Sequence, residues 1–304
     1  MNRGQKVNLF IVGAPKCGTT AWVSYLSAHP DIYFSPAKEP HFFSADFPGF
    51  RWAKSLDEYH DLFAGSGNEM VIGEASVQYL YSREAARNIH DYNPQSKILI
   101  FLRRQETFLP AYHNQLLYNT DEDIGDFAEA WTLSRDGNRS RYPATCREHS
   151  FLDYAAVGKF SEQVARYLDI FPKEQIRIIQ FEKWSAAPRE TYLELMDFLN
   201  VKDDGRTDFE PVHSAHHHRF RSVAALTQRP PKWMLSASTA LRRMTGRKRL
   251  GLGPRLRRIN EIKGYAGSVS SELRTEIAAY FTQDNQMLKM ILEKEGRNEA
   301  LEFP

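Results

Sequence analysis

Residues 8–20 read NLFIVGAPKCGTT, an apolar run that passes through a turn holding Gly13 and Gly18 into a helical pattern. A short apolar run that enters a glycine turn and leaves as a helix is how a buried parallel strand hands over to its crossover helix. Free backbone N–H groups and the positive end of the helix dipole meet at such a turn, which makes it a cradle for an anion. Lys16 adds a cation inside the turn, and Thr19 and Thr20 add hydroxyl donors. The segment Lys16, Cys17, Gly18, Thr19 and Thr20 is therefore the expected phosphate-holding set.

The turn differs from a nucleotide-triphosphate loop, G-x-x-x-x-G-K-[ST], in which lysine follows the second glycine and a hydroxyl then holds magnesium. Gly13 and Gly18 keep the spacing, but Thr19 follows Gly18 and the lysine stands earlier, at position 16. The expected ligand is a phosphate or phosphosulfate group rather than a triphosphate with magnesium.

Strands are predicted at 8–12, 32–34, 71–74, 97–102 and 175–181. Helical spacing marks 20–29, 57–63, 83–92 and 106–118, the last interrupted or kinked by Pro110. It also predicts single helices over 151–171, 189–199 and 273–295. Strands alternating with helices predict an α/β fold, a central parallel sheet with helices on both faces. Ligands in such sheets bind beyond the carboxyl ends of the strands. The cradle, Glu74 and Arg103 each close a strand, so all three are expected along one rim. The length of 304 residues suits one domain, 1–304, with a distinct basic segment at about 211–260.

The resemblance to a known family begins in the cradle. APKCGTTA, residues 14–21, resembles the PK[ST]GTT signature with which sulfotransferases hold the 5′-phosphosulfate of 3′-phosphoadenosine 5′-phosphosulfate (PAPS). KEPHFF at 38–43 is similar to a segment of the heparan-sulfate and bacterial carbohydrate-type branch. GEAS at 73–76 resembles that branch's GE-[AK]-[ST] strand end. KILIFLR at 97–103 resembles the strand leading to the 3′-phosphate arginine, and QFEKW at 180–184 with Phe198-Leu199 resembles a later stretch. The matches run in family order over most of the chain.

The resemblance implies transfer of a sulfuryl group from PAPS, a co-substrate, to a hydroxyl or amine without a required metal. Lys16 would contact the 5′-phosphate and stabilise the bridging oxygen. Glu39 would be the general base, with His41 as its rival. A carboxylate ordinarily titrates near about 4.3, so burial beside Phe42 and Phe43 is expected to raise Glu39. Arg103 would hold the 3′-phosphate, and Arg221 belongs to a late basic segment near the nucleotide. The acceptor implied is a small molecule or saccharide, a carbohydrate or glycolipid.

The chain departs from the pattern at four places. Ala111 replaces the serine eight residues after the arginine. Arg104-Gln105 replaces Asn/Asp-Pro, with Arg104 as a compensating charge. Ala75 replaces a lysine. Ala21 stands where related enzymes carry the adenine-stacking aromatic, which leaves Trp22 as a core residue. Two other readings stay open: a P-loop nucleotide kinase, and a non-catalytic nucleotide- or polyanion-binding protein of the same fold.

Residues 211–260 hold twelve Lys/Arg and no Asp/Glu. Such a stretch is a solvated face, a surface for an anionic acceptor, or a peripheral membrane contact. No nucleic-acid partner is expected, and the oligomeric state stays open. His213 and the run 216–218 are not expected to hold metal, because adjacent histidines diverge. The two cysteines, Cys17 and Cys146, give neither a disulfide framework nor a metal spacing. Cys17 stands in the cradle either as a reactive thiol or as a buried bystander. No apolar run reaches the roughly 20 residues of a membrane span, and 1–7 does not read as a secretion leader. A cytoplasmic protein is expected.

Overall fold

Five parallel strands lie in the order β2-β3-β1-β4-β5. The computed structural model describes residues 6–210, 269–296 and 301, with the backbone of 216–218 and 261–263. The elements run β1 (Leu9–Gly13), α1 (Thr19–Ser27), β2 (Ile32–Phe34), α2 (Leu56–Asp61), β3 (Val71–Ala75), α3 (Ala85–Tyr92) and β4 (Lys97–Leu102). They continue with α4 (Gln105–Tyr118), α5 (Phe127–Arg135), α6 (Tyr154–Val157), α7 (Phe160–Leu168), β5 (Ile176–Gln180), α8 (Phe181–Ala186) and α9 (Pro188–Leu199). A second sheet pairs β6 (His216–His218) antiparallel with β7 (Glu261–Lys263), and α10 (Ser271–Tyr280) and α11 (Thr282–Lys294) follow.

Every residue of β1 and β3 is buried, as is all of β4 after Lys97. Such continuous apolar strands are what a sheet flanked by helices requires. β1 pairs with β3 on one side and β4 on the other. The chain therefore reverses its direction of growth across β1, and the carboxyl end of β1 is the switch point at which such sheets take ligands.

The chain divides into two compact units. The first comprises Met1–Phe108, Ala156–His213 and Ser271–Pro304, and it contains the five-stranded sheet. The second comprises Leu109–Ala155 and Ser214–Ser270. In the second unit Arg139 grips Glu122 with both guanidinium nitrogens, at 2.8 and 2.7 Å, and Tyr154 Oη donates to the same carboxylate at 2.7 Å.

Two expected helices are broken, and one contact accounts for both. The stretch 151–171 forms a 3₁₀ turn (His149–Leu152), α6 and α7. The stretch 273–295 forms α10 and α11, with Phe281 between them. Phe281 is fully buried and lies against Gly158; a Cβ at Gly158 would stand 2.4 Å from its Cζ. Gln105 Nε2 donates to the Gly158 carbonyl at 3.3 Å, and Asp284 accepts from the Ser161 N–H at 3.2 Å, capping α7. Helical periodicity carries no sign of such a long-range contact. Helix α4 spans Gln105–Tyr118 without interruption at Pro110. Helices α5 and α8 were not anticipated; α5 is capped by Asp126, which accepts from Ala128 N at 3.1 Å.

Candidate active site

The turn between β1 and α1 is shaped by close approaches of backbone. Gly13 has φ 147°, and a Cβ there would stand 2.6 Å from the Val77 carbonyl oxygen. Ala14 N donates to Phe101 O at 2.6 Å, and Leu80 N to Val12 O at 2.7 Å, tying the turn to β4 and to the segment after β3. Gly18, in the left-handed region, precedes α1, and no side chain caps the helix. No acidic residue stands in its first turn. An uncapped N-terminus of this kind leaves donors for an anion, and the dipole favours negative charge there.

Cations converge on this turn. Arg103, immediately after β4, donates from Nε to Thr107 Oγ1 at 3.0 Å and from Nη1 to the Lys16 carbonyl at 3.2 Å. Its guanidinium carbon lies 4.4 Å from the centre of the Phe181 ring. Burial pushes the Lys16 ammonium below its ordinary pKa, and the charges of Arg103 and Lys38 push the same way. Nearby negative charge, that of Glu39 foremost, opposes them. A lysine disfavoured by burial and by neighbouring cations is poised to gain when an anion arrives. Lys38 extends the group: its Nζ donates to Thr20 Oγ1 and stands 3.7 Å from Glu39 Oε1.

Glu39 and His41 stand on the loop between β2 and α2, their side chains meeting at 3.6 Å between Oε2 and Nε2. Glu39 keeps 38% of its side chain exposed, whereas His41 is buried. Burial pushes the Glu39 carboxyl up, but the hydrogen bond and charge of His41, and then the Lys38 ammonium, outweigh it. The carboxyl is held below the usual carboxylate range. This is opposite to the expectation from the sequence, because the contacts with His41 and Lys38 outweigh the burial; Phe42 and Phe43 pack on Tyr59, at ring distances of 4.9 and 5.1 Å.

Lys16, Glu39 and His41 share a backbone peculiarity. All three are non-glycine residues with positive φ, at 61°, 59° and 49°. That region costs an L-residue on the order of 1–2 kcal/mol and is held only where the surroundings enforce it. Glu39 N donates to Ala75 O at 3.1 Å, and His41 N donates to Ser76 Oγ at 3.0 Å, so β3 and the turn after it hold the loop.

Other expected residues fall differently. The Cys17 thiol is fully buried, points back to the Pro15 carbonyl at 3.4 Å, and is pushed up strongly by burial. It is the bystander of the two alternatives, since a reactive cysteine needs a stabilised thiolate. Glu74 does not reach the rim: it pairs in register with Phe10 and is only 2% exposed. Trp22 is buried among Phe101, Tyr25 and Trp184. Ala111 is buried in the second unit. Arg221, the side chains at 213–218 and the other residues of the basic segment lie outside the described residues.

Three contributors were not anticipated. Trp184 donates from Nε1 to the Cys17 carbonyl at 3.3 Å and so braces the cradle from α8. Thr107 and Phe181 fix Arg103. Their stretches could be read in the sequence, but a tryptophan or threonine in a helix carries no local sign of the loop it supports.

Comparison with known proteins places this geometry. A family model described as "Sulfotransferase domain" matches residues 6–225. Carbohydrate sulfotransferase 15 of Rattus norvegicus is 26% identical over 246 residues, covering 64% of this chain and 44% of that protein. Heparan sulfate glucosamine 3-O-sulfotransferase 6 of Homo sapiens is 26% identical over 199 residues, covering 63% and 52%. The chain thus spans about half the length of these curated relatives. A crystal structure of a sulfotransferase from Alicyclobacillus acidocaldarius superposes with a TM-score of 0.68 at 27% identity, covering 97% of this chain and 98% of that one.

The expected cytoplasmic location is overturned by the same comparison. A relative 23% identical over 283 residues, covering 69% of this chain and 59% of that protein, is the "membrane-associated sulfotransferase kil1" of Dictyostelium discoideum. Among the described residues no helix is long and apolar enough to cross a membrane. That property of a chain spanning half of its relatives does not assign a compartment.

Proposed function

This chain belongs to the sulfotransferase domain family, and from that premise we propose that it transfers a sulfuryl group from PAPS to a hydroxyl or amine of a carbohydrate or glycolipid acceptor. The observation that carries this reading is the convergence of Lys16, Arg103 and Lys38 on an uncapped helix N-terminus, with the ionised Glu39 beside them. The donor supplies an activated sulfuryl group on a nucleotide tail of two phosphate positions, and the cradle fits such an anion.

The residues divide the work. The backbone from Lys16 to Thr20 and the threonine hydroxyls bind the 5′-phosphosulfate end. Arg103, oriented by Thr107, Phe181 and the Lys16 carbonyl, binds the 3′-phosphate. Lys16 stabilises the negative charge that develops on the bridging oxygen, a role fixed cations serve well in a preorganised site. Glu39 takes the proton from the attacking hydroxyl or amine. Its low pKa makes it a weak base that is always ionised at neutral pH, and the proton need move only late if sulfuryl transfer follows the loose path known for phosphoryl groups. His41 holds Glu39 rather than replacing it. The basic segment 211–260 suits an anionic saccharide.

A metal-free assay of labelled sulfate transfer from PAPS to a panel of polysaccharides and glycolipids tests the reading. Transfer by the wild type, lost by about 10²–10³-fold in Lys16→Ala and about 10²–10⁴-fold in Glu39→Gln, supports it. Full activity in both variants refutes the mechanism. Ala75, where the resemblance implies a lysine, favours a second reading, a nucleotide-binding protein without turnover. Tight binding of adenosine 3′,5′-bisphosphate with no transfer on any acceptor would identify it. The kinase reading is disfavoured, because Thr19 rather than lysine follows Gly18.

A further inference from the structure

Helix α11 buries Asn285, Leu288 and Leu292, one stripe at helical spacing in which a single residue is polar. The leucines need only exclusion from water, but a buried amide must be hydrogen-bonded. Asn285 finds its partner 180 residues earlier, in Gln105, which is 1% exposed. Gln105 Nε2 donates to Asn285 Oδ1 at 2.8 Å, and Asn285 Nδ2 donates back to Gln105 Oε1 at 3.3 Å. Gln105 Nε2 also donates to the Gly158 carbonyl at 3.3 Å, so both its protons and its oxygen are used. A buried polar group satisfied in this way rigidifies its surroundings and specifies one arrangement. Leucines can slide along a neighbouring helix; a reciprocal amide pair sets one register.

Gln105 is the first residue of α4 and stands two places after Arg103. In the same first turn, Thr107 Oγ1 donates to the Arg104 carbonyl at 3.0 Å and accepts from Arg103 Nε at 3.0 Å. A hydroxyl has one proton and two lone pairs, so spending the proton on Arg104 leaves a lone pair for Arg103. Arg103 Nη1 then donates to the Lys16 carbonyl at 3.2 Å. A line of bonded groups thus runs from α11, through the first turn of α4, to the cradle. The turn has two outside holds. Glu182 Oε1 accepts from Arg104 N at 3.2 Å and fixes the backbone. The amide pair fixes the helix that begins one residue later.

We propose that Gln105 and Asn285 are positioning residues of the donor site: their paired amides set the first turn of α4, and with it Thr107 and the aim of Arg103. Neither amide has to touch the nucleotide. The pair makes the C-terminal helix a working part of a site whose ligands lie in the first third of the chain. A guanidinium gives its full worth to an anion only when its direction is fixed beforehand. That the 3′-phosphate feels this hold rests on the function proposed above; the hold on Arg103 does not.

The test is Gln105→Leu with Asn285→Leu, which removes both amides at once and leaves only the Gly158 carbonyl without this donor, the form of the change least costly to folding. Calorimetry should show affinity for adenosine 3′,5′-bisphosphate falling by about fivefold, the net worth of one hydrogen bond. Affinity for adenosine 5′-phosphate should change by less than about twofold, since the cradle hangs on β1. Added to Thr107→Val, the pair of changes should cost less than about twofold more, because both act on the same bond. A merely structural pair would lower both affinities alike or neither, and its effect would add to that of Thr107→Val; any of these results overturns the proposal. If the wild type binds neither nucleotide, or Arg103→Ala lowers both affinities alike, the reading of Arg103 fails. Exchange of the Arg103 Nε proton, followed by NMR, then decides the hold: exchange about fivefold faster in the double variant sustains it, and unchanged exchange overturns it. If the double variant does not fold, Asn285→Ala carries the same comparison of nucleotides, and equal changes in the two affinities overturn the proposal.

Discussion

The indole of Trp184 occupies the space a side chain at Gly18 would need: a Cβ built on Gly18 lies 2.1 Å from Trp184 Cζ2. Gly18 also has φ 84°. Gly18→Ala therefore meets two penalties, about 1–2 kcal/mol for the left-handed backbone and about 1–3 kcal/mol for overpacking against a buried ring. The expected result is a fall of roughly 2–5 kcal/mol in urea-unfolding free energy and loss of adenosine 3′,5′-bisphosphate binding by calorimetry. Trp184→Ala removes the overlap but also a buried indole that braces the turn, itself worth about 3–5 kcal/mol, so the double variant should lose less than the sum of the two single changes while remaining weak in binding. A Gly18→Ala protein that binds as the wild type does would show that the turn is not the cradle.

Arg103 is oriented by Thr107, which accepts from its Nε at 3.0 Å. If Arg103 reads the 3′-phosphate, Arg103→Ala should lower affinity for adenosine 3′,5′-bisphosphate by roughly 10- to 100-fold, the worth of a charge-assisted bond. Affinity for adenosine 5′-phosphate should change little. Thr107→Val, which leaves the charge but frees its direction, should cost about fivefold, one neutral hydrogen bond's worth. Equal losses for both nucleotides in Arg103→Ala would assign the guanidinium to the 5′ end.

Glu39 is held low by His41 and then Lys38 against the upward push of burial. The acid limb of the kcat/KM profile should accordingly lie below the ordinary carboxylate value of 4.5. Removing either partner strengthens the upward push of burial, so His41→Ala and Lys38→Met should each move that limb upward. For stability the sign is the usual one for a depressed carboxyl: the contribution of Glu39 is present above its unfolded value and is lost as pH falls through the lower folded value. An acid limb that stays put in both variants would remove Glu39 from the role of base.

Arg139 and Glu122 in the second unit have side chains 5% and 0% exposed. Burial would raise Glu122, but the Arg139 hydrogen bonds lead a set of interactions that hold it below the usual range. Arg139→Ala leaves that carboxylate buried without its main partner and should cost about 3–5 kcal/mol in unfolding free energy. Arg139→Met with Glu122→Leu should cost less than Arg139→Ala, since no charge stays buried, but not nothing, because the buried Tyr154 hydroxyl loses its acceptor. The wild-type pair gives its full stability above the unfolded Glu122 value and loses it as pH falls through the lowered one. Equal losses in the single and double variants, measured by urea titration, would contradict this account.

Much of the site could be read locally. The strand 97–102 has the predicted bounds, and β1, β2, β3 and β5 fall within a residue or two of theirs, because continuous apolar runs between turn residues have few other folds open to them. The position of the turn between β1 and α1 followed from Gly13 and Gly18 for the same local reason. The breaks at Gly158 and Phe281 did not follow, since each exists only because the other end of the chain packs there. Nor did the direction of the Glu39 pKa, which depends on where three side chains point rather than on which residues adjoin it.

By itself, the order of residues determined a parallel α/β sheet and a glycine turn with a lysine at the end of its first strand, leading into a helix. These are properties of short segments, set by side-chain period, glycine freedom and charge. Tertiary structure alone decided that Lys16, Glu39 and His41 all adopt left-handed backbone, that Trp184 braces the turn, and that Glu74 is buried below the loop rather than lining the rim. Non-glycine residues enter that strained region only when distant groups hold them there, and such holding is a matter of three-dimensional contact that no neighbouring residue encodes.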